Sequence, residues 1–214
     1  MSEIGLFPLG IVLLPTELVP LHIFEERYQE LIGECLDEER EFGIVLADDD
    51  GLRTIGTRAA VTEVLERFED GRLNIVVEGR ERFRVVELTG GRTFQTADIE
   101  GIDDEDDLGD PADATRALSL FETLVELTGT EIETPAVETP QLSFAVAARF
   151  EFVPSLKQEL LEERSERARL KRLCELLENA ARTLEREKEI ASRAATNGKV
   201  QPRDQSGGEP DAES

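Results

Sequence analysis

The chain has 214 residues, room for one ordinary domain or two small ones, and 39% of them are hydrophobic, enough for a core. Its 48 acidic residues outnumber 24 basic ones, and the formal net charge of −24 argues against a general binder of nucleic-acid phosphates or anionic lipid. Cys35, Cys174 and His22 are the only residues of their types, too few for a disulfide framework or for a zinc site built mainly from Cys and His, and this cysteine usage suggests a reducing, cytoplasmic setting.

In chain order, the apolar run Phe7–Leu14 reads as a buried strand ended by Pro15, and Pro20 sets an extended entry to a second short strand ending near Phe24. The opening has no basic n-region, and Pro8, Pro15, Glu17, Pro20 and His22 interrupt it, so neither a signal peptide nor a membrane span is expected. Phe24–Leu36 places Phe24, Tyr28, Leu31, Ile32 and Cys35 on one helical face, with Glu25 and Glu26 complementing the dipole at its start. Short strands follow over Glu41–Ala47, Ala60–Phe68, Arg72–Val77, Glu81–Leu88 and Thr93–Ile99. Turn signals at Asp50-Gly51, Asp70-Gly71 and Gly90-Gly91 separate them, the spacing of a barrel or sandwich.

Asp103–Asp107 is an unbroken acidic run and reads as a solvated linker. Beyond it the pattern is helical. Asp110-Pro111 caps a helix that runs to Leu127 before Gly129, Thr139-Pro140 starts another ending near Phe150, and Ser155 with Gln158 forms a capping box for a third. Ser165 caps the last, from Glu166 to about Ser192, with a stripe of Leu170, Leu173, Leu177, Ala181 and Leu184. The predicted organisation is a barrel with one inserted helix over 1–109, a helical subdomain over 110–192 and a disordered, Gly/Pro/Ser-rich tail over 193–214. Charge follows that division at −17, −6 and −1, so the acidity belongs to the folded part.

Catalytic signals are weak. The one Gly-Lys pair, Gly198-Lys199, is followed by Val200 and lies in the tail, so it is no P-loop, and no dinucleotide fingerprint or nucleophile elbow occurs. His22 sits between Leu21 and Ile23 without a convergent partner, and both cysteines fall on apolar helix faces. The acidic runs Asp48–Asp50 and Asp103–Asp107 lack EF-hand spacing. No cofactor and no metal is expected.

The block from Leu6 to Tyr28 contains Leu6-Phe7-Pro8-Leu9, Leu13-Leu14-Pro15 and Pro20-Leu21-His22-Ile23-Phe24-Glu25-Glu26-Arg27-Tyr28. It resembles the N-terminal substrate-binding domain of Lon proteases. Phe42-Gly43-Ile44-Val45, Ile55-Gly56-Thr57, Asp70-Gly71-Arg72 and Gly79-Arg80-Glu81-Arg82-Phe83 continue the resemblance, which covers roughly residues 4 to 190. It implies an α+β fold, a PUA-like β-barrel (pseudobarrel) followed by a C-terminal helical subdomain. It also implies recognition of unfolded or tagged protein segments, with a separate Lon-type protease as a further candidate partner. Because the chain has no P-loop and no room for a Ser-Lys peptidase domain, the resemblance is to the recognition part alone, and no enzymatic activity is expected.

Fold-signature or partner-binding candidates are Leu14, Pro15, Pro20, Phe24, Arg27, Tyr28 and Arg82. The leading expectation is a non-catalytic protein-binding module. One alternative is a PUA-like RNA binder, for which Arg80, Arg82, Arg84 and Arg92 would have to form a basic face. A small-molecule sensor is another, opposed by the absence of tryptophan. The nearly neutral last helix could also support self-association.

Overall fold

The structure, a computed structural model, describes residues 2–107 and 109–197. Its strands are β1 (Ser2–Leu9), β2 (Leu18–Ile23), β3 (Phe42–Asp48), β4 (Gly51–Arg67), β5 (Leu73–Thr89) and β6 (Thr96–Gly101), and helix α1 (Glu26–Glu38) lies between β2 and β3. Helices α2 (Pro111–Thr128), α3 (Leu142–Ala147), α4 (Pro154–Glu162) and α5 (Glu166–Asn197) follow.

Five strands close on themselves. β1 pairs in parallel with β3, β3 with β4, β4 with β5, β5 with β6, and β6 returns to β1, the last four antiparallel. β5 serves two neighbourhoods because it is long: Leu73–Glu78 pairs with β2, and Phe83–Thr89 pairs with β6. β2 is therefore an edge strand laid against the ring, with β5 as its only neighbour among the described strands. Pro20 sits in its middle, a residue that edge positions tolerate and that blunts the edge as a template for another strand.

The expected strand over Phe7–Leu14 is corrected: β1 ends at Leu9, and Val12, Leu13 and Leu14 are buried outside any strand. Side chains satisfy this irregular backbone. Thr57 Oγ1 donates to Leu13 O at 2.6 Å, and Leu14 N donates to Glu17 Oε2 at 2.8 Å. The two long strands were each read in part. β4 begins at the turn glycine itself, and β5 runs unbroken through Gly79, where the missing Cβ lets the Leu14 carbonyl approach closely.

The helical half matches its capping chemistry unevenly. Asp110 accepts from Ala112 N and Gly129 adopts φ 69°, as the sequence requires. Ser165 Oγ accepts from Ala168 N at 3.0 Å at the start of α5. The Ser155–Gln158 box does not form: Pro154 opens α4 one residue earlier, and Gln158 Nε2 instead donates to Ile55 O and Glu162 Oε1. The helix expected from Thr139 to Phe150 is confined to Leu142–Ala147. α5 continues to Asn197, past Ser192, and the rest of the segment read as a tail lies outside the described residues.

Apolar burial forms three clusters. The first fills the ring beneath α1, where Tyr28, Leu31, Ile32 and Cys35 meet Phe7, Phe42, Ile44 and Ile75. A small one gathers Ile4, Leu6, Val45, Phe83, Ala97 and Ile99. The largest joins the helices to the ring, since Val12, Leu14, Leu46 and Ile55 are buried together with Phe121, Phe144, Leu161 and Leu173. At roughly 1.5–3 kcal/mol for each fully buried large apolar side chain, this shared core welds the helices to the barrel.

The run Asp103–Asp107 is not a solvated linker. Asp104 accepts from Arg169 Nη1 at 2.9 Å, Arg169 Nη2 at 2.7 Å and Gln141 Nε2 at 2.8 Å, and pairs with Arg82 Nη2. Asp107 takes Ser165 Oγ and Glu166 N. Arg82 and Arg169 are 2% and 0% exposed, and Phe144 stacks beneath both, its ring 4.0 Å from the Arg169 guanidinium. Two buried cations require carboxylates, so part of the acidic run is drawn in to neutralise them.

Candidate partner-binding groove

The predicted candidates separate into interior and surface groups. Leu14 and Pro15 are buried in the turn before β2. Tyr28 is buried, its ring 4.0 Å from that of Phe7. Arg82 donates through Nη1 to Leu161 O at 2.7 Å and Glu163 O at 2.8 Å, so it ties β5 to the end of α4. Pro20, Phe24 and Arg27 are on the surface. Phe24 is 62% exposed, and its ring stacks on His22, whose Nδ1 meets Asn74 Oδ1 at 2.7 Å. Arg27 pairs with Glu25 at 2.7 Å and lies over the Tyr28 ring. Pro15 and Arg82 line one hollow of about 390 Å³ together with Asp104 and Gln141, but the structure does not bring all seven candidates to one site.

It does place Pro20 in a groove. Ile11, Val12, Leu18, Val19 and Pro20 form one wall, and Ala148–Glu151 with Lys157 form the other, around a hollow of about 340 Å³. A second hollow of about 320 Å³ adjoins it at Arg149, bounded by Thr16, Ala145 and the connection between α2 and α3 at Glu133–Ala136. Each is within the range of roughly 300–1,000 Å³ typical of ligand sites. Leu18 is 62% exposed at the rim, and Ile132 and Val137 are exposed on the α2–α3 connection.

Local geometry fixes the walls. Thr16 has φ 66°, a strained value for a β-branched residue. Two hydrogen bonds hold it there, Thr16 N to Gly79 O at 2.8 Å and Glu17 N to Leu14 O at 3.1 Å. Glu17 is buried, and its carboxylate spans the groove base by accepting from Leu14 N and from Lys157 Nζ of α4. Arg149 Nη1 donates to Ala145 O. Phe150 packs edge-on against Phe121 at 5.4 Å and anchors the second wall to the helical core. Leu18, Glu17, Arg149, Phe150 and Lys157 were not singled out in the sequence. The only local signal was a glutamate, Glu17, amid apolar residues, and its partner is 140 positions away.

Other chemistry is limited. Burial pushes the Cys35 and Cys174 thiols up to about 11 each. Asp48 pairs with Arg53 at 2.9 Å. Among the described residues, no cluster of three or more His, Cys, Asp and Glu is arranged to hold a metal ion, and no helix is long and apolar enough to cross a membrane. The arginines considered for a basic face do not make one. Arg82 is buried, Arg80 pairs with Glu78 at 3.0 Å, Arg84 with Glu100 at 3.7 Å and Arg92 with Glu34 at 2.5 Å.

Comparison with known proteins gives one consistent result. The family described as the ATP-dependent protease La (LON) substrate-binding domain matches residues 3–179. A Lon protease from Anaeromyxobacter dehalogenans is 29% identical over 198 residues, covering 85% of this chain and 23% of that protein. One from Paraburkholderia phytofirmans is 27% identical over 209 residues, covering 90% and 26%. The chain thus spans about a quarter of the length of the curated relatives it matches. Among solved structures, the Lon N-terminal domain protein from Xanthomonas campestris superposes with a TM-score of 0.65 at 24% identity, over 81% of this chain and 97% of that one. The N-terminal domain of a Mycobacterium avium complex Lon protease gives 0.66 at 16% identity, over 83% and 98%.

Proposed function

Because the chain belongs to the Lon substrate-binding domain family, we propose that it is a protein-recognition module without chemistry of its own, which holds unfolded or tagged polypeptide segments in the groove between its barrel and its helices. The observation that carries this reading is the groove itself. Leu18 stands largely in solvent at its rim, while Val12 and Phe150 add apolar lining that the core holds in place. A partner that covers Leu18 gains apolar burial that folding leaves unused.

Pro20 in the edge strand favours side-chain docking over strand addition, because it has no N–H to offer a new strand. Delivery of the captured segment to a separate Lon-type protease fits the same reading, with this chain as an adaptor. RNA binding is disfavoured, because the residues through Gly109 carry a net charge of −17 and the candidate arginines are paired or buried.

The test is binding of the full chain to a permanently unfolded, reduced and alkylated model protein, with the folded form of the same protein as control. The unfolded form binds and the folded form does not. Leu18→Ser weakens binding about tenfold, the equivalent of ~1.4 kcal/mol, within the ~1.5–3 kcal/mol available from burying a leucine. Binding that is absent, or indifferent to Leu18→Ser, refutes the groove as the site.

A further inference from the structure

We infer that the segment this groove accepts is basic as well as apolar: a polypeptide stretch in which lysines or arginines flank the apolar residues that enter the two hollows. This rests on the recognition reading above and names its substrate class.

The argument is one of charge placement. Between Arg116 and Arg149 the sequence contains no lysine or arginine, but it contains Glu122, Glu126, Glu131, Glu133 and Glu138. The last three lie on the connection between α2 and α3, all exposed, and Glu133 lines the second hollow. In the adjoining first hollow, Glu151 is on the lining and is also exposed. Exposed Ile132 and Val137 alternate with these acids, so the wall presents apolar and anionic groups together.

The groove's cations do not cancel this. Lys157 is committed to Glu17 in a pair that is mostly buried, so that pair presents little charge to a ligand. Arg149, which donates to the Ala145 carbonyl, is the remaining cation on the lining, against Glu133 and Glu151. The net charge of −24 on the whole chain adds an attractive field for a basic segment and a repulsive one for an acidic segment. An acidic stretch entering here would bring like charges together as it lost water. A basic one would find Glu133 on the second hollow and Glu151 on the first.

The experiment uses the full chain and three short fluorescent peptides that share the same leucine and phenylalanine positions. The intervening residues are lysine and arginine, serine and glutamine, or glutamate. Fluorescence anisotropy should rank the affinities basic, then neutral, then acidic, with the basic peptide about tenfold or more tighter than the acidic one and its advantage shrinking as salt is raised. The exposed charge reversals Glu133→Lys and Glu151→Lys, made together, should remove most of the advantage of the basic peptide over the acidic one, leaving only the part that the overall charge supplies. If the neutral peptide binds as tightly as the basic one and Leu18→Ser weakens both, the charge inference falls and the groove reading stands. If none of the three binds, both fall. A basic advantage that the double reversal leaves unchanged also overturns the inference, because the preference would then belong wholly to the overall field and not to the groove.

Discussion

Asp104→Asn tests whether the acidic run joins the two halves of the molecule. The carboxylate receives both terminal nitrogens of Arg169, one of Arg82, and the Gln141 amide. The substitution keeps the size and removes the charge. Its amide group then points a donor at guanidinium groups that are themselves only donors. Arg169 retains Glu166 at 2.5 Å, Ser143 Oγ at 2.7 Å and Glu163 O at 2.7 Å. Arg82, 2% exposed, is left with two backbone carbonyls and no carboxylate in contact. Removing one partner of a buried ion pair costs about 3–5 kcal/mol, and because Arg169 keeps Glu166 the lower end applies, about 3 kcal/mol. For a chain of this size about 1 kcal/mol moves the midpoint by roughly 2–4 °C, so Tm falls by about 6–12 °C. Thermal and urea unfolding followed by circular dichroism measure this directly. Asp106→Asn, an exposed position in the same run, serves as control and should change stability by less than ~0.5 kcal/mol. A loss below ~1 kcal/mol for Asp104→Asn, or equal losses at both positions, would refute the argument that a buried junction needs this one carboxylate.

The same junction sets an acid limit. Burial works to raise the Asp104 carboxyl, but the hydrogen bonds and charges of Arg169, with Gln141 and Arg82, outweigh it and hold the group below the usual carboxylate range. A depressed folded value contributes stability above the unfolded value of ~3.9, and that contribution is lost as pH falls through the folded one. Urea midpoints should therefore drop more steeply below about pH 4 in the wild type than in Asp104→Asn, and parallel slopes would contradict the assignment. Gly79→Ala places a Cβ 2.0 Å from Leu14 O, so β5 or the Leu13–Leu14 segment must move. It should lose about 3 kcal/mol in urea unfolding, whereas Gly10→Ala, which meets open space, should stay within ~0.5 kcal/mol. Cys35 and Cys174, both buried with thiols pushed up to about 11, should resist a thiol reagent near neutral pH until the chain is unfolded. Rapid labelling of both in the native state would disprove that burial.

Local chemistry was legible and distant pairing was not. Asp110, Pro111 and Gly129 bound α2 because capping is decided within a few residues, and Tyr28, Leu31, Ile32 and Cys35 form a buried stripe because helical periodicity is local. The strands expected over Arg72–Val77 and Glu81–Leu88 leave a gap at Gly79, which the structure places inside the continuous β5. The reason for a glycine there, the Leu14 carbonyl, lies 65 positions back along the numbering, and only the closed ring brings it there. Ser155 reads as a cap, but Pro154 fits the first helical position better, and Gln158 is pulled to the Ile55 carbonyl of the barrel. The acidic run reads as solvated because self-repulsion is visible in sequence while the arginines that cancel it are not. The candidate site was least legible. Motif residues such as Leu14, Tyr28 and Arg82 build the fold, whereas the groove is assembled from Leu18, Arg149 and Phe150, which no motif marks.

The net charge of −24 therefore divides into two populations that salt can tell apart. Glu17, Asp104 and Glu166 are held in contact with Lys157, Arg82 and Arg169 at low exposure, where ions reach poorly. Raising salt should leave these joints, and with them the unfolding midpoint, largely unchanged. Glu131, Glu133, Glu138 and Glu151 face solvent, where a Debye length of about 8 Å at physiological ionic strength already weakens their reach. Their attraction for a basic segment should decline steadily with salt while the chain stays folded. Joint loss of binding and fold at the same salt concentration would mean that the groove and the junction share their electrostatics, which the separate partners of Asp104 and Glu151 argue against.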